Sequence, residues 1–260
     1  MAEPSTPADA VPFYVNYLPL HPVLRRSMLA FLGASLGLAI CVASVWSMNR
    51  ADPGSATWDD GRSQTFSGVL IPGPYPMLLT TDPHTGLDRT MLLVEVGKRG
   101  VQSRFNETAP RHIELSGWLL TRDDRTMLEL EPEQSGQSSP QPPPPIDIDR
   151  VSERPGSPGI VQLRGEIVDS KCYFGAMKPG AGKAHKACAT LCVRGGIAPV
   201  LVVSSPGNGP RAYLIRGADS GALPSLVERL IADPVEIQGR HTILGDLHIL
   251  TVAAENVRRL

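Results

Sequence analysis

From Ser27 to Met48 the chain reads SMLAFLGASLGLAICVASVWSM, without one charged side chain. About 20 apolar residues rising about 1.5 Å each cross a hydrocarbon core about 30 Å thick. A transmembrane helix is therefore expected over residues 28–48, after a cytoplasmic segment 1–27, and whatever else folds must fold on one side of that span. Arg25 and Arg26 immediately precede the run, while only Arg50 follows it before Asp52. This positive-inside bias leaves the N-terminus in the cytoplasm and puts the long C-terminal part outside. Trp46 suits an interfacial position at the distal end. A cleaved signal peptide would call for a shorter apolar core and an A-x-A-like site. Arg25-Arg26 matches a twin-arginine export signal only loosely, and Ile40 before Cys41 is too large for a lipoprotein box.

Gly33 and Gly37 form a G-x-x-x-G within the span. Small residues four apart let a second helix approach closely in lipid, so another membrane protein is the expected partner of this helix. The competing reading is that glycine is simply common in membrane spans. The net charge of −1 excludes the electrostatic footprint of a nucleic-acid binder.

Beyond the span, residues 49–62 are polar and rich in turn formers, as a tether would be. The SGQSSPQPPPP stretch marks a second linker, 132–157, whose prolines favour extended backbone and build no core. Two β-domains remain, 63–131 and 158–260. TFSGVLI, TMLLVEV, HIELSGWLL and TMLELE read as strands in the first. VQLRGEIV, APVLVVSS, RAYLIRG, VEIQGRHTI and LHILTVA do so in the second, with a helix expected over LPSLVERLIA.

The two domains repeat one pattern. Ile113-Glu114-Leu115-Ser116-Gly117 matches Val235-Glu236-Ile237-Gln238-Gly239, and Asp124 with Met127-Leu128 matches Asp246 with Ile249-Leu250. Met91–Val94 matches Ala212–Ile215, and Phe66–Leu70 matches Leu163–Ile167, the last at a spacing shifted by about 24 residues. Short strands, bend-forming glycines and a helix before the last hairpin resemble the OB-fold, a small five-stranded barrel. The chain as a whole looks like membrane-tethered bacterial periplasmic proteins that carry OB-fold-like domains. That resemblance implies a single-pass protein of the bacterial inner membrane, with periplasmic C-terminal domains.

The shifted spacing isolates an insertion at about 169–196, DSKCYFGAMKPGAGKAHKACATLCVRGG. Of the four cysteines only Cys41 lies elsewhere, within the span. Ala184 to Val193 reads as a helix stopped by Gly195-Gly196, with His185, Cys188 and Cys192 on one face. Cys172 and Met177 come from the preceding loop. Three readings stay open. One is a disulfide from Cys172 to Cys188 or Cys192, suited to an oxidising exterior. The second is a metal site of Cys172, His185, Cys188 and Cys192, for zinc, or for copper with Met177 as a further soft ligand. The third is thiol exchange, or an iron–sulfur or haem group; without C-x-x-C-H, covalent haem attachment is disfavoured.

The Cys188-x-x-x-Cys192 spacing is similar to that of copper-handling thiol proteins such as the Sco family and the binuclear copper domain of cytochrome oxidase. Their downstream histidine has no counterpart here, since His185 lies upstream. Lys171, Lys178, Lys183, Lys186 and Arg194 make the insertion basic, either to depress thiol pKa values or dock an acidic partner, or as a solvated face. Asp169 reads as a turn former or as a residue behind the site. No Ser–His–Asp set, phosphate loop or paired carboxylates argue for hydrolysis. The expectation is a non-enzymatic accessory subunit presenting a Cys/His metal or redox site beside a membrane redox complex. The alternative is an interaction module stapled by a disulfide.

Overall fold

The computed structural model describes residues 22–48, 55–82, 85–105, 108–123, 125–132, 148, 151–205, 208–218 and 221–260. It divides into two compact units, Met1–Asp52 and Pro53–Leu260. The proline run of the expected linker and residues 1–21 lie outside the described residues.

The first unit contains helix α1, Pro22–Met48, long and apolar enough to cross a membrane. It starts earlier than residue 28 and takes Arg25 and Arg26 into its first turns. Pro22 suits a first helical position, where its fixed φ fits and its missing N–H has no partner to lose. None of its side chains is buried, and the space around Gly33 and Gly37 is open.

The second unit is built from strands. The first barrel comprises β1 (Thr57–Ile71), β2 (Met77–Thr81), β3 (Asp88–Val94), β4 (Arg111–Arg122) and β5 (Arg125–Leu130). It closes in the order β1-β2-β3-β5-β4, with β3 and β5 parallel and every other pairing antiparallel. The second comprises β6 (Arg154–Asp169), β7 (Pro199–Ser205), β8 (Asn208–Gly217), β9 (Pro234–Leu244) and β10 (Leu247–Val252). It has the same order and the same single parallel pair, β8 with β10, while β11 (Val257–Arg259) extends the edge of β9.

The sequence repeat maps strand onto strand. Its glycines occupy close backbone crossings: a Cβ on Gly117 would lie 2.1 Å from Glu129 O, and one on Gly165 would lie 2.2 Å from Val202 O. In both barrels the long first strand carries a register shift near its start, between Asp59 and Ser63 in β1 and between Pro155 and Ile160 in β6.

Three boundaries differ from expectation. The tether does not run to residue 62, because Thr57 to Gly61 already belong to β1, with Thr57, Trp58 and Asp59 paired to β4. The linker likewise ends before 157, since β6 starts at Arg154. The helix expected over LPSLVERLIA shrinks to α3, Ser225–Glu228. Beyond it, Ile231 bridges to Ile167 and the Ala232 N–H donates to Ile167 O at 2.8 Å, so the end of β6 captures backbone that a helix would use internally.

Each barrel has its own core, centred on Leu70, Leu78, Ile113 and Leu128 in one and on Ile167, Leu201, Ile237 and Leu250 in the other. A third core joins them. Met77, Leu92, Leu120 and Met127 pack with Val168, Val200, Leu214 and Ile249 around Phe174, which is 1% exposed. The barrels are therefore one packed body, and part of the insertion is the wedge between them.

Candidate metal centre

The insertion connects β6 to β7, where the first barrel has only a short link from β1 to β2. As β6 ends, Asp169 Oδ1 accepts a hydrogen bond from the Cys172 N–H at 2.8 Å, which closes a turn and aims Cys172 inward. The tight helical turn Cys172–Ala176 is broken at Gly175, with φ +155°, where a Cβ would lie 2.3 Å from Thr57 O at the start of β1. Only glycine lets this turn seat against the first barrel. The chain then runs through a short 3₁₀ turn, Lys183–His185, into helix α2, Lys186–Arg194, which ends at Gly195 as the sequence predicts. Lys186 Nζ holds α2 to the second barrel through Asp233 Oδ2 at 2.8 Å.

These elements bring together the residues singled out from the sequence. Cys172, His185 and Cys188 present ligand atoms within 4.8 Å of one another, and so do Asp169, Cys172 and Cys192. Met177 Sδ stands 3.7 Å from Cys188 Sγ. Cys172, Cys192 and His185 are buried, Cys188 is half-buried and Met177 is exposed. The Cys172 and Cys188 sulfurs are 4.0 Å apart and all described cysteines are free thiols. A disulfide at about 2.05 Å would require the two sulfurs to close by about 2 Å.

Asp169 is more than a turn former. Its Oδ2 lies 3.0 Å from His185 Nε2, and both residues are buried. A carboxylate behind a histidine fixes the ring and its tautomer and makes the other nitrogen a better ligand.

The first barrel contributes residues that the sequence reading did not single out. Lys98 Nζ donates to Cys188 Sγ at 2.6 Å and lies 3.8 Å from Cys192 Sγ. Lys171, expected as part of a basic face, is buried instead. Its Nζ donates to Glu129 Oε1 at 2.9 Å, Glu95 O at 2.9 Å and Gly97 O at 2.8 Å, three acceptors on the first barrel. On the far side of α2, the Gly100 N–H donates to Gly195 O at 2.8 Å and Gln102 Nε2 donates to Gly196 O at 2.7 Å. The 95–102 segment is thus gripped from both ends of the insertion, with Lys98 held over the thiols. No local pattern in GKRG would have marked Lys98 as part of the site. Lys186 and Arg194, also assigned to that face, pair with Asp233 and Glu228.

The electrostatics follow from these contacts. The hydrogen bond between Cys172 and Cys192 is the largest influence on both thiols: it raises Cys172, reinforced by burial and by Asp169, and lowers Cys192. Lys98 adds to the lowering of Cys192, and its own pKa is raised by the bond to Cys188. The arrangement keeps a proton on Cys172 and favours a thiolate at Cys192. Beside the sulfurs a cleft of 470 Å³ opens between the barrels, lined by Trp58, Lys98, Trp118, Cys172, Met177 and Cys192 among others. Comparison of the chain with protein-family models, with curated proteins and with solved structures finds no match.

Proposed function

We propose that this chain is a membrane-anchored accessory protein whose Cys172, His185, Cys188 and Cys192 bind a soft or borderline metal ion outside the membrane. The observation that carries the reading is the convergence of a buried thiol, a buried imidazole backed by Asp169 and a half-buried thiol within 4.8 Å. Thiolates and imidazole suit Zn²⁺ and Cu(I), and the thioether of Met177 beside Cys188 favours Cu(I). Helix α1 anchors the chain in a single pass, with Arg25 and Arg26 holding its start in the cytoplasm and the barrels on the periplasmic side of a bacterial inner membrane. The shared strand order with one parallel pair supports an OB-like nature for both barrels. The open face at Gly33 and Gly37 suits a helix of a neighbouring membrane protein, such as a subunit of a redox complex.

The test is metal analysis with free-thiol titration of the full chain in detergent. The reading requires near-stoichiometric metal that is lost in Cys188→Ser and in His185→Ala. A metal-free protein with only Cys41 and one other thiol reactive would instead establish the second reading, an interaction module stapled by a disulfide. That reading draws on the 4.0 Å between Cys172 Sγ and Cys188 Sγ.

A further inference from the structure

The four sulfur atoms of the site are ordered by depth. Met177 is 45% exposed and Cys188 is half-buried, whereas Cys172 is 4% and Cys192 1% exposed. Their spacing follows the same order. Met177 Sδ is 3.7 Å from Cys188 Sγ, Cys188 Sγ is 4.0 Å from Cys172 Sγ, and Cys172 Sγ lies within 4.8 Å of Cys192 Sγ. A metal–sulfur bond is about 2.3 Å, so two sulfurs up to about 4.6 Å apart can share one ion. The first two steps fall inside that limit. Met177, the most exposed of the four, lines the inter-barrel cleft, as do Cys172 and Cys192, and the row leads through Cys188 to Cys172 beside His185 and Asp169.

The geometry points to an exchange path for Cu(I), entered at Met177 and ending at Cys172, His185 and Cys188, whose ligand atoms lie within 4.8 Å of one another; the inference rests on the metal reading above. Zn²⁺ gains little from a thioether, whereas Cu(I) takes one readily and tolerates low coordination numbers. Met177 carries no proton, so a copper ion meets it without any deprotonation. The bond to the incoming donor breaks as the bond to Sδ forms. Next a bond to Cys188 Sγ forms, its thiol proton leaves to solvent, and the bond to Sδ breaks. Bonds to Cys172 Sγ and to a ring nitrogen of His185 then form as the Cys172 thiol proton leaves to solvent, and the bond to Cys188 is kept. Copper stays Cu(I) throughout, so no oxidant or reductant takes part. Lys98, with Nζ 2.6 Å from Cys188 Sγ, supplies positive charge where thiolate density accumulates. Met177 is thus a kinetic residue, while the affinity resides in Cys172, His185 and Cys188.

Stopped-flow transfer between the full chain in detergent and a chromogenic Cu(I) bis-chelate reads rate and equilibrium separately. Met177→Leu keeps the volume of an exposed side chain and leaves the fold intact. Uptake and removal should both slow by at least about tenfold, with an equilibrium constant changed by less than about threefold, as for a ligand that only passes the ion on. Unchanged rates in Met177→Leu would overturn the path while leaving the metal site standing. A loss of affinity at an unchanged uptake rate would also overturn it, making Met177 an ordinary ligand. If the wild-type chain takes no Cu(I) from the chelate, the metal reading fails for copper and the path fails with it.

Discussion

Lys171→Met tests the claim that the two barrels are locked by one buried ion pair. Lys171 is 5% and Glu129 2% exposed, and the contact between them is 2.9 Å. Glu129 Oε2 has no hydrogen-bond partner among the described residues, so the lysine is what compensates the carboxylate. Its removal strands a charge in the junction core and frees the Glu95 and Gly97 carbonyls. Breaking a buried pair from one side costs about 3–5 kcal/mol, roughly two to four orders of magnitude in the folding equilibrium. Replacing both partners with apolar residues of similar volume removes the charges together, so Lys171→Met with Glu129→Leu should recover most of that loss. Urea unfolding of the full chain in detergent is suitable, because Trp58 on β1 and Trp118 on β4 report directly on the first barrel. A single-variant cost below about 1 kcal/mol would refute the reasoning, since surface pairs already reach that value. A double variant as unstable as the single one would also refute it, by showing that packing rather than a stranded charge sets the cost.

Asp169→Asn keeps the shape behind His185 but removes the charge; metal affinity measured by competition titration should fall about 10–100-fold. Glu236 accepts from Arg164, Arg258 and Gln162, which together hold its carboxyl at about 2, well below 4.5. Its folded-state pKa is depressed, so its contribution is complete above pH 4.5 and lost as pH falls toward 2. Glu236→Gln should flatten that acid limb in a plot of Tm against pH. Gly165→Ala places a Cβ 2.2 Å from Val202 O and should cost about 1–3 kcal/mol in urea unfolding, whereas Gly209→Ala, with open space around it, should change little.

Much of the fold is visible in the order of residues because barrel strands impose local demands. Inward positions must be apolar, and the glycines at 117 and 165 are required where strands cross closely. The insertion showed itself by its extra length between matching strands, and the shared face of His185, Cys188 and Cys192 by their helical spacing around α2. Other features depend on contacts distant in sequence. Lys98 reaches Cys188 across 90 positions and Lys171 reaches Glu129 across 42, and neither lysine sits in a pattern that differs from an exposed one. Trp58 joins β4 although it lies in a polar stretch, because the backbone of a barrel strand extends past its apolar part. The shortening of α3 likewise depends on a tertiary partner, the carbonyl of Ile167.

The grip on the 95–102 segment has a consequence for biogenesis. A ribosome makes the first barrel before any of Cys172, Cys188 and Cys192 exists, and that barrel has a core of its own. The seat for the thiols therefore precedes the thiols. Each emerges toward a surface already offering acceptors for Lys171 and donors for Gly195 and Gly196, which shortens the interval in which naked sulfur meets oxidant or stray metal. The N-terminal barrel in this sense chaperones a chemistry encoded further along its own chain.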